Sequence, residues 1–391
     1  MSPARAGVEE GSEQQPSHRS IEHGNPAIFK PTWRVLDDIN IDLFTACTIL
    51  AACVAALFTH FRAALAFGAA AVVIVPLRLA FPRPKPPQGL VLITGASSGI
   101  GAELSYIFAE KDHNLVLVGR NEEQLEAVKT NVKDKYGKTA YTITCDLSLP
   151  GSAQKLYDQV IKQGLHVNVL VNNAGLGSAG DPFEQPTDLA ERMTTLNCTS
   201  LVQLTQLFGR DMIKQGSGWL LHVSSVGGKF NSSRLPFASI CSHPTTTGWM
   251  ASPGQNLYHA TKHYVRAFSE ALNMELRAYP GIVNTQLMPG PTHTQFVTRA
   301  HAEETVMMGA AGSLEDAKAV AMAGYNGLCK RKRMVFGSWG DAFMATVMQV
   351  VPRSVHLTLA SGMNAPTRGM GRMKEPEKDQ NVRGADLEEK K

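Results

Sequence analysis

Cysteine chemistry is the first thing this chain lacks. Cys47, Cys53, Cys145, Cys198, Cys241 and Cys329 form no CxxC pair and no Cys/His cluster at metal-ligand spacing. No metal site or disulfide framework is therefore expected, and reduced thiols are the default. An excess of one charge is also missing: 38 Lys and Arg against 34 Asp and Glu leave +4 over 391 residues. Without a basic patch or a nucleic-acid-reading motif, that balance excludes nucleic acid as a partner. Internal repeats are absent, which excludes repeat architectures. Charge disappears altogether between residues 43 and 61, a run close to the ~20 residues that span a bilayer core.

That run organises the N-terminal end. Residues 1–40 are polar and without periodicity, and read as a disordered tail. The block 43–81 reads as a membrane anchor of one or two helices, because Arg62 interrupts it and a second apolar run follows to Pro76 and Arg78. A buried helical hairpin is the competing reading. Residues 82–89 form a basic, proline-rich linker with Arg83 and Lys85, which places the following domain on the cytosolic side.

Past the linker, Leu90-Val91-Leu92-Ile93-Thr94 feeds the glycine-punctuated loop Gly95-Ala96-Ser97-Ser98-Gly99-Ile100-Gly101, and helical spacing follows at Leu104, Ile107 and Phe108. Strand, tight turn and helix in that order form a phosphate cradle: the glycines admit a pyrophosphate, and the helix N-terminus offers unpaired N–H groups to it. Further strands are expected at 114–119, 140–145, 169–175, 218–225, 281–288 and 334–337. Helices are expected through 136 and at 151–163, 188–213 and 256–278. The alternation predicts an α/β fold, a doubly wound parallel sheet of Rossmann type with about seven strands, following an N-terminal transmembrane segment. The dinucleotide-binding domain runs over 90–337; residues 338–391 add an amphipathic helix near 340–359 and a charged tail. Arg120 ends the second strand where an acid would select NAD, so the cofactor expected is NADPH/NADP+.

Thr94-Gly95-x-x-x-Gly99-Ile100-Gly101, Asn172-Asn173-Ala174-Gly175, Ser225, Tyr258-x-x-x-Lys262 and Pro289-Gly290-x-x-x-Thr294 occur in the order seen in the short-chain dehydrogenase/reductase family. The chain resembles that family from about 90 to 294, and more weakly to 337. Its flanks are similar to bacterial ketoreductase-like members, and the anchor is similar to that of microsomal 3-oxoacyl-CoA and hydroxysteroid reductases. The resemblance implies catalysis by Ser225, Tyr258, Lys262 and Asn197. It also implies cofactor contacts from Gly95, Ser97, Ser98, Gly99, Ile100, Gly101, Arg120, Asn121, Asp146, Leu147, Asn173, Ala174, Gly175, Tyr258, Lys262, Pro289, Gly290, Thr292 and Thr294. Ser224 competes with Ser225 for the carbonyl, and a buried amide bonding backbone is the other reading of Asn197.

The residue types suit the chemistry. Reduction of a ketone needs a proton delivered to the carbonyl oxygen; Tyr258 is the natural acid, and Lys262, one helical turn on, is expected to lower the phenol toward neutrality. Ser225 and Tyr258 are separated by 32 residues, more than the family's common spacing. The insertion 231–253 reads either as a lid or membrane-contacting flap or as an inert excursion. The expected whole is an endoplasmic-reticulum membrane protein, its catalytic domain in the cytosol, reducing an apolar small-molecule carbonyl and touching membrane lipid, with a homodimer compatible. An NADP-linked alcohol dehydrogenase working oxidatively and a non-catalytic cofactor-binding scaffold are the alternatives.

Overall fold

The computed structural model describes residue 72 and residues 88–225, 254–296 and 314–342 of the chain. The expected anchor at 43–81 apart from residue 72, the insertion 231–253, and the C-terminal helix beyond 342 lie outside the described residues. Among the described residues, no helix is long and apolar enough to cross a membrane.

Seven parallel strands form one sheet in the order β3-β2-β1-β4-β5-β6-β7. They are β1 (Leu90–Thr94), β2 (Asn114–Gly119), β3 (Ala140–Thr144), β4 (Val167–Asn172), β5 (Gly218–Val223), β6 (Ile282–Met288) and β7 (Met334–Phe336). Parallel neighbours require crossovers, and helices supply them: α1 (Gly99–Glu110), α2 (Glu122–Tyr136), α3 (Ser152–Lys162), α4 (Thr187–Thr194), α5 (Leu201–Gln215), α6 (Asn256–Glu275) and α7 (Ala317–Cys329).

Side-chain alternation along the strands sorts the core into two layers. Val91, Ile93, Leu115, Leu117, Val169 and Val171 pack with α1, α2 and α7 on one face. Leu92, Val116, Val118, Leu170 and Leu220 pack with α3 and α5 on the other. The central strands are buried from both sides, which is why they read as continuous apolar runs. Each fully buried side chain of this kind stabilises the fold by about 1.5–3 kcal/mol.

Two elements differ from the sequence expectation. The segment expected as one helix over 188–213 contains a π-helical turn at Thr195–Ser200, between α4 and α5. Helix α7 is not in the sequence reading; its Ala- and Gly-rich face lies flat on β6 and β7, where a β-carbon on Gly324 would press on Leu287 and one on Gly327 would collide with Val335.

Candidate active site

The strand order reverses direction between β1 and β4, and in such sheets the crevice beyond the C-terminal ends at that point receives ligands. Thr94, the last residue of β1, ties the two strands together there. Its hydroxyl donates to the Val171 carbonyl and accepts from the backbone N–H of Asn173 and of Ala174, both at 3.0 Å. The Asn173 amide returns two bonds, to the carbonyls of Thr94 and Gly95. Asn173 thus braces the loop from beneath rather than presenting its amide to a ligand.

The glycine loop has the shape of a cradle. Gly95 and Gly99 adopt φ of +66° and +55°, which side-chain-bearing residues rarely do. A β-carbon on Gly95 would stand 2.9 Å from the Ala174 Cα, and one on Gly101 would collide with the Gly95 carbonyl. Ser98 begins α1 without a side-chain cap, and no acidic residue occupies its first turn, so the helix N–H groups stay directed at the loop. A dinucleotide pyrophosphate fits this arrangement of bare backbone and positive helix end.

At the end of β2, Arg120 is 42% exposed in its side chain, with Nη1 3.9 Å from Asp146 Oδ2. Asp146 in turn accepts from the backbone and hydroxyl of Ser148 through Oδ1. Asn121, expected among the cofactor contacts, has its side-chain oxygen engaged as the N-cap of α2, accepting from the Gln124 N–H at 2.9 Å. Leu147 is buried and its carbonyl accepts from Ser200.

Ser225, Tyr258 and Lys262 converge past the ends of β4 and β5. A hydrogen bond joins the Tyr258 phenol to Ser225. Ser224 points elsewhere: buried, it donates to the Lys262 backbone carbonyl at 3.1 Å. Lys262 Nζ donates to the Val223 carbonyl at 3.2 Å and lies 5.6 Å from the centre of the Tyr258 ring, within cation–π range.

The expected lowering of the phenol is not found here. Burial pushes Tyr258 up to about 12, the Ser225 bond acting in the opposite direction. The ammonium is turned to a backbone carbonyl instead, and burial brings Lys262 down to about 8.

Asn197 sits in the π-helical turn and bonds the Leu176 backbone twice, accepting from its N–H and donating to its carbonyl, each at 2.8 Å. It also donates to the Thr261 hydroxyl. The buried-amide reading describes these bonds. A β-carbon on Gly175 would nevertheless lie 3.5 Å from Lys262 Nζ and 3.6 Å from Asn197 Oδ1, so the two side chains share one wall of the crevice.

The turn Pro289-Gly290 and the residues after it close the crevice from the β6 side. Thr292 donates to the Gly290 carbonyl, and a β-carbon on Gly99 would stand 2.9 Å from the Thr294 methyl. Phe296, which the sequence reading passed over, lies over Tyr258 with ring centres 5.5 Å apart. It occupies the space in which a side chain on Gly177 would stand. An aromatic two residues after Thr294 was the only available signal.

Sequence comparison matches residues 89–238 to the family described as short chain dehydrogenase. Over that segment the chain is similar to the short-chain dehydrogenase/reductase family. It is 31% identical over 221 residues to the Homo sapiens dehydrogenase/reductase SDR family member 7, covering 55% of this chain and 58% of the relative. It is 32% identical over 198 residues to the very-long-chain 3-oxoacyl-CoA reductase of Phaeosphaeria nodorum, covering 49% of this chain and 52% of that one. The matched region thus spans between half and two thirds of these relatives' lengths. Among solved structures, a short-chain dehydrogenase from Sphingobium yanoikuyae in complex with NADPH superposes with a TM-score of 0.54 at 26% identity, over 68% of this chain and 96% of that one.

Proposed function

We propose that this chain is a short-chain dehydrogenase/reductase, a membrane-anchored, NADPH-dependent reductase of a ketone or aldehyde on an apolar substrate. The observation that carries the reading is the convergence of the partly buried Tyr258, its Ser225 partner and Lys262 on the crevice that the glycine loop floors. When bound, the reduced dinucleotide supplies the hydride. The residues of the chain supply the rest. Ser225 donates a hydrogen bond to the carbonyl oxygen as negative charge develops on it. Tyr258, kept protonated by burial, transfers its proton to that oxygen, and the nearby Lys262 cation offsets the charge left on the phenolate. Asn197 holds the Leu176 backbone in place beside them.

Preference for the 2′-phosphorylated cofactor is supported by Arg120 at the end of β2, half-exposed and only loosely paired at 3.9 Å. Support for an apolar substrate comes from Phe296 over Tyr258, and support for the anchor from the uncharged run at 43–61. The test is steady-state kinetics of the purified full-length protein with a panel of ketones and both cofactors. NADPH is expected to be favoured, and Arg120→Asp to abolish or reverse that preference. Equal efficiency with NADPH and NADH in the unsubstituted protein would overturn the cofactor assignment; no turnover of any carbonyl would overturn the reductase reading.

A further inference from the structure

Behind the Pro289-Gly290 turn lies a pair of carboxyl groups, Asp341 and Glu315, with no cation between them among the described residues. Asp341 is the third residue of the helical turn that opens at Trp339 and that Ser338 caps: the Asp341 N–H donates to the Ser338 hydroxyl at 3.1 Å, and the Asp341 carboxyl accepts from the Ser338 N–H. This is a reciprocal capping box. The same carboxyl accepts from the Gly290 N–H and sits so close that a β-carbon on Gly290 would collide with it. Across from it, Glu315 is joined to the cofactor-side loop through its backbone, donating to the Pro291 carbonyl and accepting from His293, both at 2.9 Å. The two side chains meet beneath Gly337, where an added β-carbon would be in contact with Glu315 Oε2 and Asp341 Oδ2. Those two oxygens are buried, and neither receives a hydrogen bond from an N–H or hydroxyl among the described residues. Two facing carboxylates repel, whereas one shared proton turns the contact into a hydrogen bond.

We propose that Asp341 and Glu315 are positioning residues whose shared proton clamps the 289–294 segment over the glycine loop, so that the grip on NADPH weakens when the proton is lost. The inference rests on the cofactor reading given above. Burial and the Glu315 carboxyl raise Asp341 to about 7, inside the physiological range. Among the described residues, the charged and titratable side chains on the neighbouring segments are His293, Asp316, Lys318 and Arg333, with Glu103 on α1 beyond them. Among the described residues, the influences on Asp341 besides burial are the Glu315 carboxyl and two backbone N–H groups, with no basic side chain. Between the ordinary carboxylate range and about 7 the folded chain holds the extra proton and the unfolded chain does not. Stability contributed by the pair is therefore lost as pH rises through that window.

The experiment is a fluorescence titration of the full chain with NADPH at about pH 6, where the pair keeps its proton, and at about pH 8.5, where it has lost it. Glu315→Gln and Asp341→Asn each replace one carboxyl of the pair by a permanent hydrogen-bonding amide, and the titration of the cofactor's own 2′-phosphate is common to all the proteins. Relative to both variants, the unsubstituted chain is expected to lose affinity by about five-fold or more on going to the higher pH. Asp341→Ala, which loses the Gly290 bond as well, is expected to bind weakly at both. The same pH response in the unsubstituted chain and the amide variants overturns this proposal alone. Failure of the unsubstituted chain to bind NADPH at either pH overturns the cofactor reading on which the proposal stands.

Discussion

Replacing Thr94 by valine removes one oxygen from the join between β1 and β4 while keeping the shape of the side chain. Thr94 is 2% exposed, and its hydroxyl is the acceptor for two backbone N–H groups, those of Asn173 and Ala174, each at 3.0 Å. Because valine fills the same volume, no cavity contributes and the effect is electrostatic. Each buried donor left without an acceptor costs about 1–3 kcal/mol, so two together come to roughly 2–6 kcal/mol. In a domain of this size 1 kcal/mol moves the melting midpoint by about 2–4 °C, which gives a fall of roughly 4–24 °C. Thr94→Ser is the control: it keeps the hydroxyl and loses one methyl, at a cost of about 1 kcal/mol. Thermal melts of the three full-length proteins in one buffer decide the matter. A Thr94→Val midpoint within about 2 °C of the unsubstituted protein, or a Thr94→Ser protein as unstable as the valine variant, would refute the reasoning, since surface-like effects are that small.

Two further predictions concern the chemistry. Tyr258→Phe should leave NADPH affinity nearly unchanged in a fluorescence titration while turnover falls by about 10²–10⁴-fold, the usual contribution of a general acid; activity within a factor of about two would mean that the proton has another source. The lysine beside it titrates in reach of ordinary buffers: with Lys262 lowered to about 8, its cation is lost from the folded protein at a pH where the unfolded chain, at 10.5, still holds it. Turnover should decline as pH climbs through about 8 while the lysine's own contribution to stability rises over the same range. A Lys262→Met variant should lack that alkaline decline in its residual activity, measured as a pH profile of kcat.

The sheet and most of its helices were legible because their signals are local. The short, valine-rich runs at 114–119 and 167–172, set between helical segments, read as doubly buried parallel strands, and Asn121 and Gly137 mark the two ends of α2 as its cap and its left-handed stop at φ +64°. Helix α7 was missed because packing flat on β6 demands Ala and Gly where an amphipathic pattern would show Leu. At the site, motif spacing located Ser225, Tyr258 and Lys262 but said nothing of where an ammonium points, which the Val223 carbonyl decides. Nor does spacing reveal that the Asn121 side-chain oxygen is engaged as the cap of α2. Contacts such as Phe296 with Gly177, or Asp341 with Gly290, join residues far apart in the chain, and they follow only from the path of the backbone.

The π-helical turn at Thr195–Ser200 makes this stretch sensitive to counting. It holds one residue more per turn than the helices on either side, and that surplus lets Asn197, Cys198 and Ser200 all face inward. Deleting a single residue here would let the hydrogen-bond ladder close into ordinary α-helix without a break. Because the surplus residue is absorbed within the turn, α4 and α5 would keep nearly the same phase, while the positions inside the turn would be redealt, carrying the Asn197 amide off the Leu176 backbone it grips at both ends. In most helices a one-residue deletion damages the helix itself; here the helix would gain regularity and the crevice would lose a wall.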